Sequence, residues 1–138
     1  MKDIRIMIFL VLLGSLMLVS GCKGPSISEA KFKSDYINYN EMAVIDFKVY
    51  NPSEISFDGA VDIRAPVGSD LGFFDCFESA NKSIDTVLPK KSYNGELEIN
   101  SKNNDKCKSQ DFDVYFTLKD KKSNEVLDQN KLLLKIKS

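Results

Sequence analysis

With no histidine anywhere in the chain, the side chains left to do chemistry are carboxylates, amides, hydroxyls and three cysteines. Imidazole-based serine or cysteine triads are excluded, as are the usual histidine sets for zinc. Carboxylate chemistry stays open. Asp111 and Asp113 lie two residues apart, which places both on one face of a strand about 7 Å apart, and Asp62 would lie on a comparable outward face. A hydrolase would need one of these carboxyls buried and raised in pKa. The plainer expectation is a solvated strand face. Asn103, Asn104 and Asp105 offer oxygens to calcium, yet they lack the glycine and distal glutamate of an EF-hand loop and read as a polar turn. Cys76 and Cys107 belong to no Cys-x-x-C and have no activating base beside them, so neither redox nor metal chemistry is expected of them. No glycine-rich phosphate loop is present, and no cofactor is implied. Asn81-Lys82-Ser83 has the form of a glycosylation sequon, whereas proline blocks Asn51-Pro52-Ser53.

One cluster points to binding rather than catalysis. Phe73, Phe74 and Phe77 crowd three rings into five residues. Exposed together, they would mark a partner-binding patch. Packed inward, they would fill the core.

The position of these residues in the cell is set by the first 22 residues. Lys2 and Arg5 precede the apolar run Ile6 to Val19, and small residues Ser20 and Gly21 follow it. Spanning a hydrocarbon core roughly 30 Å thick takes about 20 apolar residues, so this run is short for a span. A basic start, a short apolar middle and small residues before a cut form the pattern of a secretory signal. Val19-Ser20-Gly21-Cys22 resembles the lipobox of prokaryotic lipoproteins. The resemblance implies cleavage before Cys22, diacylation of its sulfur and often acylation of the new amino terminus. Two acyl chains anchor a protein stably where one, at about 0.8 kcal/mol per buried methylene, does so only marginally. The competing readings are an uncleaved anchor over residues 6–19 and an ordinary thiol at Cys22.

If Cys22 is lipidated, the odd cysteine count is explained, and Cys76 and Cys107 remain as a disulfide pair in a compartment that permits one. Closing that loop would stabilise the fold by roughly 3.5–4 kcal/mol on the chain-entropy argument. Cleavage removes two bases and one acid, moving the formal charge from −1 to −2. Such a balance favours neither nucleic acid nor a polybasic grip on anionic lipid. The chain then divides into a signal over 1–21, the lipidated cysteine and short tether over 22–26, and one domain over 27–138.

Period-two alternation dominates that domain. Strands are expected over Ile27 to Lys33, with Ala30 and Phe32 inward, and over Ala43 to Tyr50, ended by Asn51-Pro52. Further strands are expected over Phe57 to Ala65, Ser92 to Ile99, Asp111 to Leu118 and about Val126 to Lys137. A short strand within Leu71 to Phe77 would lead into an irregular stretch or helical turn near Glu78 to Ser83, with another short strand over Ile84 to Leu88. Asn100 to Gln110 reads as a loop pinned at Cys107. Ser26-Ile27-Ser28-Glu29 matches a capping box, but no helical spacing follows it. About seven short strands separated by Pro, Gly and Asn signals predict an all-β, antiparallel β-sandwich. Phe47-Lys48-Val49-Tyr50-Asn51-Pro52-Ser53, followed by Phe57 to Ala65, resembles the Asn-Pro segment of LEA/WHy-type sandwiches, and the strand count is similar to Ig-like domains. The Cys76 and Cys107 positions and the absence of tryptophan depart from true immunoglobulin domains. The resemblance therefore implies architecture and no function.

The expected protein is a non-enzymatic binding or structural module of the cell envelope. It would be lipid-anchored at the cell membrane or outer membrane, face outside the cytoplasm and contact another envelope protein. An accessory or inhibitor subunit of an envelope enzyme is the alternative, with Ser69 to Ser83 and Asn100 to Gln110 as its contact loops. A hydrolase built on Asp111 and Asp113 is the outsider.

Overall fold

In the alternating segments every second side chain is apolar, and a strand can bury such a set on one face only. The computed structural model describes residues 24–66 and 70–137. Among these residues eight strands form two sheets: β1 (Ser26–Phe32), β2 (Tyr36–Asn38), β3 (Ala43–Tyr50), β4 (Gly59–Arg64), β5 (Asn81–Ser83), β6 (Ser92–Ile99), β7 (Asp111–Asp120) and β8 (Val126–Lys137). One sheet has the order β1-β3-β6 and the other β2-β8-β7-β4-β5. All pairings are antiparallel except β2 with β8. The expected β-sandwich is therefore the fold. The expected signal over 1–21 and the expected lipidation at Cys22 lie outside the described residues.

The core forms where the inner faces meet. Ile45, Phe47 and Val49 of β3 face Val114, Phe116 and Leu118 of β7, all buried. The rings of Phe47 and Phe116 lie 5.0 Å apart between the sheets. In β1 the register shifts between Ile27 and Glu29. That bulge explains how Ile27 is buried while Ala30 and Phe32, at positions of the other parity, also pack against the core.

Both open margins of the sandwich are stitched between sheets. At one, the Ile27 amide donates to the Asp128 carboxylate over 2.8 Å. At the other, the Lys82 ammonium donates to the Glu96 carbonyl over 3.1 Å. These bonds occupy main-chain groups that an edge strand would otherwise leave free.

Three expectations are corrected. Leu71 to Phe77 forms no strand: a helical turn, α1 (Phe73–Cys76), stands there. The strand near Glu78 to Ser83, where an irregular stretch was expected, is β5. Ile84 to Leu88 contributes only one bridge, between Phe57 and Val87. The unexpected strand β2 is three residues long and takes its hydrogen bonds from β8.

The chain directions give the sandwich two different ends. Ser26 pairs with Tyr50, and Tyr50 with Ser92, so the start of β1 lies at one end with the loops 51–58, 84–91 and 121–125. The opposite end carries α1, the loop 100–110 and Cys76 and Cys107. Seven strand rises along β3 separate them by roughly 23 Å.

Candidate functional site

At the end remote from Ser26, Cys76 and Cys107 are joined by a disulfide with 5.8 Å between their Cα atoms. It clamps α1 to a three-residue 3-10 turn, Asp105–Cys107. Around the clamp the loops are held by main-chain groups. The Lys102 amide donates to the Cys76 carbonyl and the Glu78 amide to the Asn100 carbonyl, each over 2.9 Å. Lys102 Nζ reaches the Phe74 carbonyl at 2.6 Å, and Asn104 Nδ2 the Asp75 carbonyl at 3.2 Å. Asn103 and Ser109 take positive φ, 54° and 59°, which fixes the loop's path at two places where most residues would resist it.

The three phenylalanines do not form an exposed patch here. Phe73 opens α1, and Phe77 follows it in extended conformation, bridged to Ser101; both rings turn inward. Phe73 and Phe77 stack at 4.8 Å, and Phe73 meets Phe112 edge-on at 6.0 Å. Both are buried, and Phe74 is half-buried beside them. The candidate partner-binding role of Phe73, Phe74 and Phe77 is therefore corrected to packing under the disulfide. Around the clamp this end exposes Asp75, Lys102, Asn103, Asp105, Lys106 and Lys108, with Met42 as an exposed apolar side chain beside them.

Of the three expected carboxylates, two share a groove and the third stands apart. Asp111 and Asp113 line a shallow groove of about 160 Å³ with Leu71, Gly72, Phe73 and Phe112. Both are exposed, and Asp113 lies 3.5 Å from Lys131 Nζ. Asp62 sits elsewhere on the same sheet, in register with Thr117, roughly 14 Å along and across from Asp113. It is the more buried carboxylate, with Arg64 Nε and Lys119 Nζ each at 3.4 Å. Its Oδ1 is shut from solvent without a hydrogen-bond partner. A lone carboxylate between two cations is an ion-pair cluster, set apart from the groove of Asp111 and Asp113.

Two of the three side chains considered for calcium are engaged locally. Asn104 Oδ1 accepts from the Lys106 amide at 3.1 Å, and Asp105 pairs with Lys108 at 3.7 Å. Among the described residues no three His, Cys, Asp or Glu side chains gather as a metal set, and no helix is long and apolar enough to cross a membrane.

Shifted titrations mark turns and one sheet face. Glu96 stays charged below the usual carboxylate range because Lys33 donates a 2.7 Å hydrogen bond to it, and Lys33 is held charged to higher pH by the same contact. The amides of Ser123 and Lys122 lower Asp120 at the β7 to β8 turn, and the Asn38 amide lowers Glu41.

No protein-family model and no curated protein sequence matches the chain. Among solved structures it is similar to a FixG-related protein from Vibrio parahaemolyticus, at 12% identity and TM-score 0.57, covering 85% of this chain and 98% of that one. It is similar to a cycloisomaltooligosaccharide glucanotransferase from Paenibacillus sp. at 13% identity and TM-score 0.57, covering 83% of this chain and 14% of that one. β-Glucuronidase 2 from Bacteroides uniformis gives 15% identity and TM-score 0.55, with 82% and 14% covered. The chain thus spans about one seventh of the length of these two enzymes. At such identities the likeness is one of fold, the β-sandwich.

Sequence reasoning missed the most tightly held polar residue. Asn51 is fully buried. Its Nδ2 donates to the carbonyls of Ile55 (2.8 Å) and Val87 (3.0 Å), and its Oδ1 accepts from the Ser53 amide (3.1 Å). Its main chain is bonded as well, to Lys90 and Lys91. The signal available was an asparagine two residues before a serine at a strand end, the pattern of an Asx turn.

Proposed function

We propose that this chain is a lipid-anchored, extracytoplasmic β-sandwich that acts as a binding or structural module of the cell envelope. Cleavage before Cys22 and acylation of its sulfur attach it to the membrane, and the disulfide-pinned end contacts another envelope protein. The observation that carries the reading is polarity of the fold: the tether enters at Ser26, and the Cys76–Cys107 clamp stands at the opposite end. An anchor at one end leaves the other free to reach outward. The disulfide supports a compartment that permits oxidation. The loop 100–110 is tied to α1 by the disulfide and exposes polar side chains, which suits the rim of a protein contact.

The test has two parts. Radiolabelled palmitate is expected to enter the wild type and not Cys22→Ala; equal labelling would sink the anchor. Crosslinking in intact cells from a photoreactive residue placed at the exposed position of Asp105 is expected to capture an envelope protein. That capture should be lost when Lys102 and Lys106 are both replaced by Glu, and retained when Lys121 and Lys122, at the other end, are replaced. Capture indifferent to the first pair would overturn the contact surface.

A further inference from the structure

Most large apolar side chains of this domain are inside, so the few that are not stand out. Ile55 is 76% exposed and Leu88 57%, and Val126 (42%) and Tyr50 (36%) are partly exposed. All four lie at one end of the sandwich, the end at which β1 begins. Tyr36 and Leu133, also exposed, pack at the β2 to β8 margin nearer the other end, and Met42 stands at the far end itself.

Ile55 and Leu88 sit on neighbouring loops. A single nitrogen, Asn51 Nδ2, binds the carbonyls of Ile55 and of Val87, the residue before Leu88. Phe57 and Val87 exchange two main-chain hydrogen bonds of 2.9 Å beneath them. The two apolar tips are therefore held side by side on a fixed base, and their side chains take no part in holding it. Gly24, Pro25 and Ser26 lie along the start of β8 at the same end, against Val126 and Leu127.

From these placements we infer that the tips of the loops 51–57 and 84–91 enter the lipid bilayer interface, with Ile55 and Leu88 as the inserted side chains. The inference rests on the anchor at Cys22. Only two residue steps, at most about 7 Å, separate Cys22 from Gly24, so an acylated Cys22 holds this end, and no other, against the lipid. Apolar side chains rimmed by polar ones partition into the boundary between headgroups and acyl chains. The rim also tells which lipid feature is read. Lys90, Lys91, Lys121 and Lys122 stand among Glu54, Asp58, Asp85, Asp120 and Glu125, and Glu54 lies 3.4 Å from Lys90. Four bases against five acids leave no positive excess, so the contact is apolar and draws nothing from anionic headgroups, unlike a polybasic patch. The tips would fix the orientation of the domain and point its disulfide end away from the membrane.

The chain has no tryptophan, so one introduced indole is a clean reporter. Full-length protein carrying Ile55→Trp, Leu88→Trp or Met42→Trp is purified with its acyl chains and reconstituted into phosphatidylcholine vesicles with brominated acyl chains, with and without phosphatidylglycerol. The indoles at 55 and 88 are expected to shift to the blue and to be quenched at least about twofold by the bromolipid. The indole at 42 is expected to stay unquenched, and phosphatidylglycerol to change nothing. Acylated, vesicle-bound protein whose indoles at 55 and 88 are as unquenched as that at 42 would overturn the insertion and leave the anchor standing. Purified protein without acyl chains would overturn the anchor, and the insertion with it.

Discussion

The side-chain nitrogen of Asn51 lies 3.0 Å from the main-chain carbonyl oxygen of Val87, 36 residues further along the chain. This bond and its partner to Ile55 tie the exit of β3 to the loop that precedes β6, although that loop forms no ladder of its own beyond the Phe57 to Val87 bridge.

Removing that amide takes one of two donors from each carbonyl, since Val87 keeps the Phe57 amide and Ile55 keeps the Ser53 hydroxyl, and it leaves the Ser53 amide without its acceptor. Asn51→Ala is expected to lower stability by roughly 1–3 kcal/mol, the range for losing buried hydrogen bonds and opening a small cavity. Asn51→Asp keeps the shape but turns an acceptor toward two acceptors, and is expected to lose at least as much. Urea unfolding midpoints read both. A wild-type midpoint for Asn51→Asp would contradict the role given to the donor.

The disulfide closes a loop of sequence separation 31. Replacing Cys76 and Cys107 together by Ala is expected to cost about 3.5–4 kcal/mol on the chain-entropy argument. In the native protein neither thiol should react with an alkylating agent until a reductant is added, after which two alkyl groups should be gained. Alkylation of unreduced, folded protein at these positions would contradict the clamp.

Gly95 faces Phe47 across the β3 to β6 pairing. A Cβ added there would come within 2.7 Å of both the Phe47 and Tyr93 rings. Phe47 is wedged against Phe116 and has little room to retreat, so Gly95→Ala is expected to destabilise by about 1–3 kcal/mol as an overpacked core position. Thermal unfolding at or above the wild-type midpoint would show that the ring moves freely.

Glu96 titrates below its ordinary value of 4.5 because Lys33 hydrogen-bonds to it. Its folded pKa is therefore lower than its unfolded one, so its contribution to stability is present above pH 4.5 and lost as pH falls through the depressed value. Lys33 runs the other way: its contribution is present below its ordinary 10.5 and lost as pH rises through the raised value. Both groups are exposed, so salt screens the pair. The direct check is the carboxylate titration of Glu96 by NMR. Lys33→Ala should return it to the ordinary range, and an unmoved midpoint would contradict the assignment.

Long alternations were legible because burial on one face enforces them. Phe112, Val114, Phe116 and Leu118 of β7, and Ala43, Ile45, Phe47 and Val49 of β3, are the buried sets that their period predicts. Three residues carry no period, so β2, which exists by pairing with the end of β8, could not be read. Ile84 to Leu88 had the apolar content of a strand but no neighbour beyond Phe57. The turn Phe73–Cys76 was hidden because three rings in five residues fit neither period, and Phe77 beyond it is extended and bridged to Ser101. At the candidate site, the pairing of Cys76 with Cys107 followed from the cysteine count once Cys22 was assigned to lipid. Where Phe73 points, and that Asn51 is a buried knot, depend on contacts between distant segments that no local pattern records.

The central claim is that this polypeptide is exported, cut before Cys22 and fixed to a membrane by acyl chains on that residue. Intact-mass spectrometry of the full-length gene product, recovered from the cells that make it, tests this most directly. The account predicts a chain beginning at Cys22, heavier by a diacylglyceryl group, found with the membranes. A chain beginning at Met1, free of fatty acid and recovered from the cytosol, would contradict it.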